Sequence, residues 1–128
     1  MSLVHPLAKV LGLGSAKSGV QHWWLQRITA IGLLPLTLWV VWAAVTMGGT
    51  EHAIVLAWMS SPINAALLLI WTVVMLYHAQ LGIQVVVEDY VSVPAAAMFL
   101  HIATKFAVAV GIVISVLSIL RIALGGAA

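Results

Sequence analysis

His78 is the residue whose type and place in the chain point most directly to chemistry. It stands inside a long uncharged run, ten residues before Glu88, about 15 Å along a helix that rises 1.5 Å per residue. An ionisable side chain so deep in an apolar segment is a functional candidate. At 100° per residue, Trp71, His78, Gly82, Val85 and Asp89 fall within about 40° of one line. Gly82, one turn from the imidazole, removes a side chain where a flat ligand or a close helix needs room. Two chemistries suit this arrangement: a neutral imidazole hydrogen-bonded to a neighbouring helix, or an axial ligand of a b-type haem in an apolar site. At the end of the same run stands Glu88-Asp89-Tyr90. A tyrosine hydroxyl there can hydrogen-bond a lipid-soluble carbonyl, with a carboxylate near its protons. A plain helix end with an interfacial tyrosine has the same sequence. Arg27, at the head of the first long uncharged run, either joins that polar end or anchors its helix to the inner interface.

Other polar residues say less. Gln80 and Gln84 fall on the flank of the helix opposite His78. Amides face lipid at a cost, so that flank is expected to meet another helix, and covering both flanks is expected to need a partner chain. His101 is a candidate second axial ligand from a later helix, His52 is expected in a solvated loop, and His22 carries no specific signal. The chain has no cysteine, which excludes disulfides, thiolate nucleophiles and cysteine-ligated clusters. It has no zinc-type ligand spacing, phosphate-binding glycine loop or serine–histidine–acid set.

The elements that must position these residues follow from composition. The chain has 128 residues, 64% hydrophobic and 6% charged, and a mean hydropathy of +1.19. A soluble domain carries about 25% charged residues, so the solvent for most of this chain is lipid. Five scattered Lys and Arg residues make no nucleic-acid patch. A crossing takes about 20 apolar residues, which leaves no room for an extramembrane catalytic domain. The pattern predicts an all-α membrane protein: one domain over 1–128 with three transmembrane helices at about 24–48, 62–88 and 97–123. Ser60-Ser61-Pro62 and Val91-Ser92-Val93-Pro94 read as helix starts. Pro35 is expected to kink the first span. Lys105 is expected to snorkel, with 94–104 lying partly along the interface before the third crossing. Lys9, Lys17 and Arg27 precede span one, and the loop after span two leads to Lys105. The loop between spans one and two has no Lys or Arg, so the N-terminus is expected inside and the C-terminus outside. Trp23-Trp24 would mark the inner interface, and Trp42 and Trp58 the outer. Leu3, Leu7, Val10 and Leu11 suit a short interfacial helix ended by Gly12-Leu13-Gly14, rather than a cleaved targeting signal.

Two stretches resemble one family. Gly19-Val20-Gln21-His22-Trp23-Trp24-Leu25-Gln26-Arg27-Ile28-Thr29-Ala30 is similar to the segment entering the first span of the succinate dehydrogenase hydrophobic membrane anchor. His78-Ala79-Gln80-Leu81-Gly82, with Asp89-Tyr90 eleven and twelve residues after the histidine, resembles that family's His…Gly…Asp-Tyr signature. The resemblance implies a subunit of respiratory complex II in the bacterial inner membrane rather than the mitochondrial one. It implies four things of the site residues: His78 ligates the iron of haem b, Tyr90 contacts ubiquinone, Asp89 lies near the quinone, and Arg27 lies near a haem propionate or the quinone. The other axial ligand would come from a companion cytochrome b subunit. Flavin and iron–sulfur clusters would sit in a flavoprotein and an iron–sulfur subunit that this chain helps to dock, and the chain alone would have no catalytic activity. Two alternatives stand beside this reading: a haem-free structural subunit of another membrane complex, and a small proton-coupled transporter. A transporter needs an intramembrane carboxylate, and Glu51, Glu88 and Asp89 all lie at span ends.

Overall fold

The computed structural model describes residues 19–125. Four helices follow one another: α1 (Gly19–Met47), α2 (His52–Ser60), α3 (Pro62–Tyr90) and α4 (Pro94–Ala123). Three are long and apolar enough to cross a membrane. At 29 or 30 residues each they reach about 44 Å, more than the roughly 30 Å hydrocarbon core. They are apolar on every side, which suits a helix surrounded by lipid or by other helices. Among the described residues only Leu33, Ala43, Ala65, Leu81, Val87 and Ile119 are buried, so most of the apolar surface is left for lipid or a partner.

The helix α3 is the middle of the bundle and packs on both α1 and α4. Three residues, 91–93, join α3 to α4, and so short a link makes antiparallel neighbours. The pairing of α1 with α3 is antiparallel as well: Trp71 Nε1 donates to Thr37 Oγ1 at 3.1 Å, while His78 meets Thr29, so the numbers run in opposite senses. Close packing is helped by small residues. Gly111 on α4 faces Leu76, whose Cδ1 would lie 3.6 Å from an added Cβ.

The connection between α1 and α3 differs from the expected loop. Its chain turns at Gly49, whose φ of 90° favours a residue without Cβ, and then forms α2. Glu51 stands at the N-cap with its carbonyl accepting from the Ile54 N–H at 3.0 Å. This short helix packs against α3 and α4. Asn64 Nδ2 donates to the Trp58 carbonyl at 2.9 Å, and Trp58 stacks on Trp39 of α1 with centroids 5.3 Å apart. Trp58 therefore fastens helices together, beyond any role in marking the interface. His52 is exposed, but as the first residue of α2 rather than in a loop.

Helix boundaries also shift. The first span is helical from Gly19 rather than 24, and it continues through Pro35. Ser61 is the N-cap of α3 with Pro62 after it, as the sequence suggests, yet its hydroxyl makes no cap bond. The third span begins at Pro94 and is unbroken through Lys105, so no boundary separates an interfacial stretch 94–104 from a crossing stretch. The reason is local: Pro94 suits the first helical position, and nothing between Ala95 and Thr104 breaks a helix. The surplus length of α4, about 15 Å over the hydrocarbon thickness, can hold its first turns at the interface without a break. The N-terminal interfacial segment with Leu3, Leu7, Val10 and Leu11 lies outside the described residues.

Candidate functional site

His78 sits on α3 with its ring turned to α1. Its Nδ1 is 2.8 Å from Thr29 Oγ1. That hydroxyl also lies 2.7 Å from the Leu25 carbonyl and 3.1 Å from the Gln26 carbonyl. A carbonyl can only accept, so the single hydroxyl proton goes back to the preceding turn, and the hydroxyl oxygen accepts from the imidazole. That arrangement corresponds to the tautomer with the proton on Nδ1 and the lone pair on Nε2. The Nε2 contact within the chain is the Gln26 side-chain amide at 3.4 Å, at the long limit of a hydrogen bond.

The Gln26 amide gives the Nε2 side of the ring a polar neighbour. Gln26 Oε1 and His22 Nε2, one turn apart on α1, are buried without hydrogen-bond partners. Opposite Gln26 is Gly82, where an added Cβ would lie 3.7 Å from Gln26 Nε2. The space left by Gly82 is thus bordered by the Gln26 amide. Next to the ring an open groove of about 370 Å³ runs between Ala30, Leu33, Leu34, Thr37 and Leu38. Gln26 and Thr29 were not singled out from the sequence. The signal was available: His22, Gln26 and Thr29 are spaced i, i+4 and i+7, a polar stripe on one helical face.

The opposite flank of α3 corrects one expectation. Gln80 and Gln84 line a gap of about 10 Å³ with His101, Thr104 and Lys105 of α4, and Gln84 Nε2 donates to Glu88 Oε1 at 2.8 Å. Both flanks of α3 are covered by the chain's own helices, so these amides do not require a partner. The same placement removes His101 as a companion to His78. Two axial imidazoles must face one iron, and these two lie against opposite sides of α3. Among the described residues no three His, Asp or Glu side chains are grouped to hold a metal ion.

The Tyr90 end is open. Tyr90 is 83% exposed and Asp89 is exposed, both in the last turn of α3. Arg27 is exposed with its guanidinium 4.5 Å from the Trp23 ring centroid, a cation–π contact. His78 is brought together with α1, whereas Asp89, Tyr90 and Arg27 are not drawn into one pocket with it. Glu51 precedes α2, and Glu88 and Asp89 end α3, so no carboxylate stands midway along a described span.

Three apolar helices, with most of the ionisable side chains near their ends, define a multi-pass membrane protein. The chain belongs to the succinate dehydrogenase/fumarate reductase transmembrane subunit family, whose model matches residues 1–120. Curated relatives agree. It is 43% identical over 99 residues to the succinate dehydrogenase hydrophobic membrane anchor subunit of Rickettsia bellii (strain RML369-C), covering 77% of this chain and 79% of the relative. It is 34% identical to the succinate dehydrogenase membrane anchor subunit of Reclinomonas americana, over 65% of this chain and 72% of that one. It is 30% identical to the hydrophobic membrane anchor subunit of Paracoccus denitrificans, over 70% of each. No solved structure gives a significant match. Membership makes the chain a subunit of an oxidoreductase complex, and the three apolar helices fit a multi-pass protein of the bacterial inner membrane.

The imidazole fits an axial haem ligand. Its Nδ1 has a hydroxyl at hydrogen-bond distance, its Nε2 has one long neighbour, and a partnerless amide oxygen and an apolar groove lie alongside.

Proposed function

We propose that this chain is the membrane anchor of a succinate:quinone oxidoreductase, docking a flavoprotein and an iron–sulfur subunit and contributing to haem b and ubiquinone sites with a companion cytochrome b subunit. The observation that carries the haem part is the hydrogen-bonded state of His78. Thr29 holds the Nδ1 proton, so the nitrogen left to coordinate is Nε2, the arrangement usual for a ligating histidine. When bound, haem b supplies a one-electron carrier within the membrane. His78 would hold it, beside the apolar side chains of Leu33, Leu34 and Leu38. Arg27 is assigned to a haem propionate or the quinone vicinity, since its charge at the head of α1 suits an anionic group.

For the quinone, Tyr90 supplies the hydroxyl donor to a carbonyl oxygen. Two electrons and two protons complete reduction to quinol, and Asp89 is assigned to proton delivery or to orienting a partner arginine. The basic residues before and within α1 support an inner location for its start, and with three crossings Tyr90 then lies on the inner side.

A second reading is favoured by one observation: both ring nitrogens of His78 have neighbours on α1, as a helix fastener in a haem-free anchor would. Optical and EPR spectra of the complex, purified with its partner subunits, separate the two. We expect a dithionite-reduced b-type signal in the wild type, lost or changed in spin state in His78→Ala. A fully assembled wild-type complex with no haem signal, haem having been supplied, rejects the haem site. An unchanged low-spin spectrum in His78→Ala rejects His78 as the ligand.

A further inference from the structure

We infer that Thr29 is a positioning residue for His78: its hydroxyl oxygen accepts the Nδ1 proton, sets the ring plane and tautomer, and makes Nε2 the coordinating nitrogen. The inference rests on the haem reading above and deepens it.

The geometry carries the argument. Thr29 Oγ1 sits 2.8 Å from Nδ1, while its own proton is directed to the carbonyls one turn back at 2.7 and 3.1 Å. With its proton in either of those bonds, the hydroxyl oxygen is free to accept from Nδ1–H. An acceptor on Nδ1–H makes the imidazole more electron-rich and its Nε2 a stronger donor. A stronger donor stabilises ferric over ferrous iron, so the contact lowers the midpoint potential. Valine has nearly the shape of threonine but no acceptor, and it would leave a partly buried N–H unsatisfied. Serine retains the acceptor and the bond back to the preceding turn. A fastener between α1 and α3 would affect assembly alone, whereas a positioning residue also affects the electronic state of the ligand.

The test uses the four-subunit complex carrying Thr29→Val or Thr29→Ser, with redox titration of the haem, low-temperature EPR and measurement of haem retention. Thr29→Val is expected to raise the midpoint potential, shift the low-spin g values and weaken haem retention about 10–100-fold. Thr29→Ser should stay close to wild type. Should the Val complex fail to assemble, ENDOR on the wild-type complex provides a readout without a variant: a hydrogen-bonded exchangeable proton on the Nδ1 of the ligating histidine, retained in Thr29→Ser. A Val complex with wild-type potential and g values, or a wild-type Nδ1 with no hydrogen-bonded proton, overturns the role of Thr29 while leaving His78 as ligand. A wild-type complex without haem overturns both.

Discussion

Tyr90 separates two roles at the scale of a single residue. Its ring suits the membrane interface and its hydroxyl suits a quinone carbonyl, and in the chain alone it is largely exposed with no hydrogen-bond partner. Replacement by phenylalanine keeps the ring and removes only the hydroxyl, a loss of about 0.5–1.5 kcal/mol for an ordinary hydrogen bond. Succinate–quinone turnover and affinity for a quinone-site inhibitor should therefore fall by roughly threefold to tenfold in Tyr90→Phe. Succinate oxidation with a soluble artificial acceptor should not change. If both quinone turnover and inhibitor affinity are untouched, Tyr90 is an interfacial side chain and nothing more. The depth of His78, its spacing and the glycine one turn away are local properties and are legible in the sequence. The polar stripe of His22, Gln26 and Thr29 is legible too, but not what it faces, because His78 lies 52 and 49 residues away from Gln26 and Thr29 along the chain.

At the scale of elements, α3 is the helix that must fit two neighbours at once, and Gly111 of α4 marks how closely one of them approaches. A methyl at Gly111 would lie 3.6 Å from Leu76 Cδ1, an ordinary van der Waals distance. Gly111→Ala should leave assembly and thermal stability near wild type. Gly111→Leu has to push the helices apart and should cost about 1–3 kcal/mol, read as a lower unfolding midpoint of the purified complex. Equal stability of the two variants would mean that α3 and α4 do not pack as closely as their contact at Leu76 requires. The helix α2 shows what escapes a reading by spans. Nine residues are too few to cross, and their role emerges only from the Trp39–Trp58 stack and the Asn64 bond.

For the whole molecule, most of the surface is apolar in every direction, and the chemistry is unevenly distributed. The amides at Gln80 and Gln84 meet α4, so they give no reason for a partner. The reason lies elsewhere: the buried, partnerless His22 Nε2 and Gln26 Oε1, the open groove at His78, and the exposed Asp89–Tyr90 end. Expressed alone, the chain should aggregate or be degraded, and co-expression with a second anchor and the iron–sulfur subunit should restore yield. Size-exclusion profiles in detergent and membrane-fraction yields check this. A stable, monodisperse, haem-free product from solo expression would instead favour an independent role such as transport.

Composition and charge placement were enough to determine that the chain lives in lipid, how many times it crosses and where its ionisable side chains interrupt the apolar runs. These follow from the cost of placing charge in hydrocarbon, which acts on each segment separately. Tertiary structure decided which faces meet. It set His78 against Thr29 rather than beside His101, gave Gln80 and Gln84 to α4, and folded the connection after α1 into α2. A sequence whose helices are apolar nearly all round has few polar residues to announce an inner face. Which polar side chain finds which partner is then settled by close approach between helices, through small residues and single hydrogen bonds.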